Sequence, residues 1–337
     1  MITISLCMIV KNEEAILSRC LDTVADLVDE IVIVDTGSTD KTKEIAARYT
    51  DKIYDFQWID DFSAARNFAF SKATKEYIYT ADADEVISPE NRQKFLQLKA
   101  SLLPEIEIVQ MIYGNQLQFG TVYNYDEEYR PKLFKRLREF VWQEPIHEMV
   151  RLEPLIYDSD IVITHMPTSP HGSRDLKNFR KQTGEGKNLS KRLQNMYARE
   201  LLLVGEPEDL ALAEKYFAET AEDPERDQEE ILEACCVLAR VYRLTDKTVE
   251  FFKFANKVLV GSVNSEICLE MGLFYEERQD LEEAAIWFYN AVYETQPILS
   301  LESGRRHSLQ GLVRCYEKMG LAEQAEIYRE ELKMLED

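Results

Sequence analysis

The strongest constraint on the fold is a change of hydrophobic period near residue 165. Before it, short runs rich in β-branched and aromatic residues alternate with helical patterns; from about residue 190 the strand-like runs vanish and long helical patterns recur. A chain of the first kind builds a mostly parallel sheet covered by helices, and one of the second kind packs helix on helix. The prediction is an α/β domain over residues 1–170, a basic linker or lid over 171–194, and an all-α helical-repeat domain over 195–337.

Within the first half, "ITISLCMIV" reads as a strand, and the helical segment after it sets Ile16, Leu17, Cys20, Leu21 and Val24 on one stripe. "EIVIVDTGSTD" is a second strand closing on Asp35 and a turn at Gly37, with Asp40 available to cap the next helix. "KIYDFQW" is a third strand, "FSAARNFAFSKA" a short helix and "EYIYTA" a fourth strand. Ligands of open α/β sheets sit outside the carboxyl ends of strands. Residues 8–14, Asp35 and residues 82–85 fall at such ends.

In the second half, three segments align with Tyr242, Tyr275 and Tyr316 in register. The first two tyrosines are 33 residues apart and the last two 41, so an insertion falls around "TQPILSLESG". Ala284 and Ala325 then take the small position where paired helices approach closely, and "PEDLALAEKYFAETAEDP" fits a fourth, partial unit. Between the halves, Pro167, Pro170, Gly172, Gly184 and Gly186 mark an expected mobile connection carrying Arg174, Lys177 and Arg180.

Composition narrows the chemistry. A formal net charge of −22 over 337 residues opposes polyphosphate backbones and anionic lipid, which makes nucleic acid an unexpected partner. The six cysteines show no CxxC pair and no metal spacing with the four histidines, so buried thiols in a reducing compartment are expected. No segment approaches 18 consecutive apolar residues, and the N-terminal apolar run is too short for a signal peptide; the expectation is a cytoplasmic protein with no stable membrane insertion.

The fourth strand runs directly into Asp82, Asp84 and Glu85. If strand geometry persists, Asp82 and Asp84 project to one side. Two hard oxygen ligands at a strand end suit Mg²⁺ or Mn²⁺, ions that complete their shells with water and substrate phosphates. On this reading the repulsion among the acids is relieved by a cation arriving with a diphosphate. "DTGSTDKT" contains neither GxGxxG nor GxxxxGK, so a phosphate loop is rejected.

Four segments, "ISLCMIVKNEEAILSRCLDTV", "EIVIVDTGSTDKT", "FSAARNFAFSKATKEYIYTADADEV" and "WQEPIHE", together resemble the successive motifs of family-2 glycosyltransferases. That resemblance implies the Rossmann-like GT-A fold, a nucleotide-sugar donor, a divalent metal and commonly an inverting reaction. It implies that Val10, Lys11 and Glu13 line the nucleotide pocket and that Asp35 accepts a hydrogen bond from the base, typically the N3–H of uracil. It also implies that Arg66 lies against the base or diphosphate, Asp82 with Ala83 faces the ribose or metal, and Asp84 holds the metal. His165 resembles the family's later histidine, either a metal ligand or a structural hydrogen-bonding group. An inverting transfer needs a base, for which Glu148 is the candidate and adjacent His147 the substitute. Arg174, Lys177 and Arg180 are candidates for a cationic lid over the leaving diphosphate.

The helical half resembles tetratricopeptide repeats, whose stacked hairpins form surfaces suited to extended peptides. The expected reaction therefore moves a hexose or N-acetylhexosamine from a UDP-sugar to a Ser, Thr or Cys side chain of a peptide or protein, as in bacterial peptide S- and O-glycosyltransferases. UDP-glucose and UDP-N-acetylglucosamine are both compatible, and thiol and hydroxyl acceptors are not distinguished. Cell-surface polysaccharide assembly and an inactive transferase-like scaffold are the alternatives. Self-association through the helical repeats is a further expectation.

Overall fold

The computed structural model describes residues 1–114, 127–138, 142–143, 149–150, 153–166, 172–186 and 188–335, with backbone alone at 142–143, 149–150 and 172–175. The chain divides into two compact units, Met1–Pro170 and His171–Asp337.

The first unit contains strands β1 (Ile4–Val10), β2 (Glu30–Asp35), β3 (Ile53–Asp55), β4 (Tyr77–Thr80), β5 (Glu85–Val86), β6 (Ile108–Gly114), β7 (Glu128–Lys135), β8 (Trp142–Gln143), β9 (Met149–Val150) and β10 (Ile156–His165). Its helices are α1 (Leu17–Val24), α2 (Thr42–Ala46), α3 (Phe62–Lys72) and α4 (Pro89–Ser101). Eight strands form one sheet in the order β3-β2-β1-β4-β7-β6-β10-β5, and β8 pairs with β9 separately. Six of the eight share a direction; β7 and β5 run against them. The mostly parallel α/β layout expected from the alternating periods is therefore present. β1 and β2 are central and covered on both faces, which is why they read as nearly continuous apolar runs. The stripe Leu17, Cys20, Leu21 and Val24 of α1 is buried on this sheet, together with Ile16. Helix starts follow local chemistry: Asp61 accepts the Ala64 N–H before α3, and Ser88 accepts the Asn91 N–H before α4, whose first position is Pro89. Asp40 accepts the Thr42 N–H one residue ahead of the observed cap, Lys41.

The second unit contains α5 (Gly172–Gly184), α6 (Lys191–Val204), α7 (Pro207–Glu222), α8 (Gln228–Leu244), α9 (Thr248–Gly261), α10 (Ser265–Glu277), α11 (Leu281–Tyr289), α12 (Arg306–Lys318) and α13 (Ala322–Met334). α8 with α9, α10 with α11 and α12 with α13 form three successive hairpins. Their register rests on backbone geometry as well as on side chains. Four residues after each aligned tyrosine the chain turns left-handed, at Asp246, Gln279 and Gly320. One residue later the N–H of Lys247, Asp280 and Leu321 bonds back to the carbonyl of Tyr242, Tyr275 and Tyr316 respectively. Ala284 and Ala325 are fully buried at the close approach of their hairpins. The insertion after α11 is ordered: the Glu266 carboxylate accepts the N–H groups of Ile298, Leu299 and Ser300 at 3.1, 2.9 and 2.8 Å.

One expectation changes here. The connection predicted as mobile contains a helix, α5, whose Leu176 is buried and whose Phe179 stacks on Tyr197 of α6. Leu176, Phe179 and Thr183 recur at helical spacing, and this outweighs the glycines at or beyond the helix ends. All six cysteines are free and buried. Among the described residues no helix is long and apolar enough to cross a membrane.

Candidate active site

The carboxyl ends of β1, β2, β4, β6 and β10 lie at one edge of the sheet, which carries the sequence-predicted residues there on short loops. The loops after β1 and β2 are laced together. Asn12 adopts a left-handed φ of 58°, a conformation its short polar side chain tolerates. Its Oδ1 accepts the Thr39 N–H at 2.8 Å while its own N–H donates to Ser38 Oγ at 2.9 Å. The Glu13 N–H donates to Thr42 Oγ1 at 2.7 Å, and the Lys41 N–H to Glu14 Oε2 at 3.0 Å. Lys11 is exposed and Glu13 half-buried on this rim. Val10, by contrast, buries its side chain in the core, and its carbonyl accepts the Thr36 N–H. Its side chain thus packs in the core, while its backbone stands at the strand end.

Asp35 is fully buried at the end of β2. Its Oδ1 accepts the N–H groups of Gly37 and Ser38 at 3.0 and 2.9 Å and lies 3.7 Å from Lys43 Nζ. Its Oδ2 is buried with no hydrogen-bond partner among the described residues. A buried carboxylate oxygen without a donor is costly, and a hydrogen-bond donor brought beside it would relieve that cost.

The acid cluster departs from the strand expectation. β4 ends at Thr80, and residues 82–85 form a turn closed by the Glu85 N–H on the Asp82 carbonyl at 3.1 Å. The three acids then go to different places. The Asp82 side chain is 56% exposed with Arg66 Nη2 3.9 Å away, and Asp84 is 13% exposed with its Oδ2 3.1 Å from His165 Nε2. Glu85 is 2% exposed and ion-paired at 2.5 Å with Lys132 Nζ from β7. Ala83 between them is buried. Each acid therefore has a partner within the protein, Arg66 near Asp82, His165 against Asp84 and Lys132 on Glu85, beside any cation that arrives with a diphosphate. Burial pushes the Glu85 carboxyl up to about 7, with Asp82 and Asp84 adding to the rise and Lys132 opposing it. The Cys20 thiol, on α1, rests 3.4 Å from the Asp82 carbonyl, and burial foremost, then these acids, raise it far above the ordinary thiol range.

Around His165 the site is layered. The Tyr113 ring packs with its centre 5.2 Å from that of the His165 ring, and the Arg130 guanidinium lies 3.9 Å from the centre of the Tyr113 ring. Sequence reasoning passed over Asn12, Tyr113, Arg130 and Lys132. The available signals were an Asn immediately after a strand end and a proline, Pro131, inside a strand-like run.

Asp84 and His165 supply oxygen and imidazole donors, and their 3.1 Å separation is close to that of neighbouring ligands in an octahedral shell of roughly 2.1 Å radius. Among the described residues no group of three or more His, Cys, Asp or Glu is disposed to hold a metal. The donor set thus fits an ion that takes one or two protein ligands and fills the rest of its shell from substrate and water. His147 and Glu148 lie outside the described residues, as does the Arg174 side chain. Lys177 is exposed, and Arg180 is paired within the helical unit to Asp209 at 2.6 Å.

Comparison with known proteins gives three findings. Residues 5–152 match the family model described as Glycosyl transferase family 2. The TPR repeat-containing protein Synpcc7942_0270 of Synechococcus elongatus is 39% identical over 150 residues, 44% of this chain and 36% of that protein. The SPbeta prophage-derived glycosyltransferase SunS of Bacillus subtilis is 30% identical over 161 residues, 47% of this chain and 36% of that protein. The chain thus matches little more than a third of the length of these two relatives. Among solved structures, glucosyl-3-phosphoglycerate synthase from Mycobacterium tuberculosis with Mn²⁺ and UDP-glucose aligns with a TM-score of 0.39 and 14% identity, over 56% of this chain and 81% of that one.

Proposed function

We propose that this chain, whose residues 5–152 form a family-2 glycosyltransferase domain, transfers a hexose or N-acetylhexosamine from a UDP-sugar to a Ser, Thr or Cys side chain of a peptide or protein. The observation that carries the reading is the conjunction, at one sheet edge, of the Asp84–His165 pair with the orphaned Oδ2 of buried Asp35. Asp35 presents a carboxylate acceptor suited to an imide N–H such as that of uracil, and its other oxygen is already held rigidly by two backbone donors. Asp84 and His165 would hold Mn²⁺ or Mg²⁺, with an imidazole ligand favouring Mn²⁺. When bound, the ion would supply Lewis acidity to the diphosphate as negative charge builds on the leaving oxygen. Arg66 beside Asp82 adds positive charge at the rim, where the ribose and diphosphate would pass. Glu148, or His147 beside it, takes the acceptor's proton as the acceptor attacks the anomeric carbon opposite the departing diphosphate, giving inversion.

The acceptor class rests on the helical unit. Its three successive hairpins, α8–α9, α10–α11 and α12–α13, repeat as helical-repeat units do, and stacked units of that kind present surfaces suited to extended peptides.

The test is incubation with UDP-glucose and UDP-N-acetylglucosamine, Mn²⁺ and a panel of Ser-, Thr- and Cys-containing peptides, read by intact mass. A gain of one hexose or N-acetylhexosamine supports the reading; donor turnover restricted to lipid or saccharide acceptors refutes the peptide assignment. Replacing Glu148→Gln should lower kcat by about 10²–10⁴-fold with little change in donor affinity. Equal losses in both would give Glu148 a binding role instead.

A further inference from the structure

We propose that Lys132 is a positioning residue that orients both candidate metal ligands, Asp84 and His165, by holding one side chain attached to each. The proposal rests on the metal-site reading above.

The placement begins with Pro131. A proline has no N–H for a ladder, and Pro131 sits on β7 opposite Gln110 of β6, beyond the stretch 133–135 that pairs with β4. The strand accommodates it with a bulge. Val109 pairs with Leu133 but Gln110 pairs with Pro131, so Lys132 is the extra residue on β7. Bulges twist a strand locally and redirect a side chain. Here the redirected side chain is a lysine only 8% exposed, a location that an ammonium occupies only against a strong partner.

That partner is Glu85, at 2.5 Å, the residue directly after Asp84. The backbone there is already joined to β10: Glu85 is in register with His165, and the Met166 N–H donates to the Asp84 carbonyl at 2.8 Å. Fixing the Glu85 side chain therefore fixes the direction in which the Asp84 carboxylate leaves the turn. The same ammonium lies 5.1 Å from the centre of the Tyr113 ring, which in turn packs on the His165 ring. A single cation thus braces Asp84 through Glu85 and His165 through Tyr113. Groups that support metal ligands in this way commonly change metal affinity by 10- to 100-fold when altered.

Lys132→Met alone leaves the Glu85 carboxylate buried without its partner and can prevent folding. The informative variant is therefore the pair Lys132→Met with Glu85→Leu, which removes both charges at similar volume, alongside Lys132→Arg as the conservative replacement. Mn²⁺ binding in the presence of UDP is read from free Mn²⁺ by electron paramagnetic resonance, and circular dichroism checks folding. The expected result is a folded double variant that binds Mn²⁺ 10- to 100-fold more weakly, with Lys132→Arg recovering most of the affinity. Binding within twofold of the parent in the folded double variant would overturn the proposal; should the double variant not fold, full-affinity binding in a folded Lys132→Gln protein would overturn it. Asp84→Ala separates the two levels: if it binds Mn²⁺ as the parent does, the metal-site reading itself fails and the positioning role falls with it.

Discussion

Glu270 in the helical unit and Asp35 in the sheet unit are both almost completely buried acids, yet only one has both oxygens bonded. Glu270 receives Arg240 Nε on one oxygen and Arg243 Nε on the other, each at 2.7 Å, so that α8 and α10 are joined by a closed set of charge-assisted bonds. Burial acts to raise its pKa, but Arg243 and Arg240 together outweigh it and hold the carboxyl low. Glu276 repeats the device one hairpin on, with Arg314 and Lys318 of α12. Asp35 instead has one oxygen closed by backbone N–H groups and the other open. An open oxygen is not by itself a site, since Glu233 Oε2 on α8 and Glu85 Oε2 in the acid turn share the property. What separates Asp35 is its place at the end of β2 beside the laced loops, with Lys43 no nearer than 3.7 Å, whereas Glu85 is held by Lys132 at 2.5 Å. Closed acids hold packing together; an open one at a strand end keeps an acceptor to spare.

Breaking each side of that contrast should have effects of different kind. The largest falls on turnover. Asp84→Ala removes one of the two side chains proposed to hold the metal, and a loss of about 4 kcal/mol of transition-state stabilisation, a thousandfold in rate, is expected. Donor hydrolysis and transfer measured side by side check it, and turnover near the parent's would remove Asp84 from the metal site. Glu270→Ala should leave donor chemistry per folded molecule intact but cost about 3–5 kcal/mol in the helical unit, because two guanidinium groups lose the acid between them. Urea unfolding followed by circular dichroism reads this directly, and a shift below about 1 kcal/mol would mean that the Arg–Glu set is not structural.

How much of this the sequence disclosed depended on whether the signal was a local pattern. β1, β2 and β4 stand out as short continuous apolar runs because both their faces are buried, and the α1 stripe because its residues recur at helical spacing on a buried face. The tyrosine register of the hairpins was legible for the same reason, and the turns at Asp246, Gln279 and Gly320 share it. Lys132 was not legible, since its role depends on a bulge and on a partner 47 residues away. Nor was the orphaned oxygen of Asp35: sequence places an acid at a strand end, but only the folded loop decides which oxygen the backbone uses. Helix α5 was misread because counting prolines and glycines ignores that Gly172 and Gly184 sit at its ends.

The contrast sharpens at Asp35 itself. Asp35→Asn keeps an acceptor for Gly37 and Ser38 but puts an amide NH₂ where the open oxygen was, opposing a donor on the ligand. UDP affinity should fall by about 10- to 100-fold, the worth of a charge-assisted hydrogen bond, with a much smaller change in stability. Calorimetric titration with UDP checks this, and unchanged affinity would leave the open oxygen without a ligand role.

The smallest effect lies at the opposite end of β2, where Glu30 is an acid closed from several sides. Ser5 Oγ donates to it at 2.5 Å, Thr74 donates from both N–H and hydroxyl at 2.8 Å, and Lys52 pairs with it. Burial works to raise its pKa, but the bonds from Lys52, Ser5 and Thr74 prevail and hold it at about 2, below the ordinary 4.5. A depressed carboxyl contributes stability that is complete above the unfolded value and is lost as pH falls through the folded one. The contribution should therefore be whole above about pH 4.5 and fade toward pH 2. Glu30→Gln binds no proton in either state, so its stability should fall less steeply than the parent's across that window. Thermal unfolding of both proteins from pH 5 to pH 2.5 makes the comparison, and parallel curves would show that Glu30 is not among the groups that give the sheet unit its acid sensitivity.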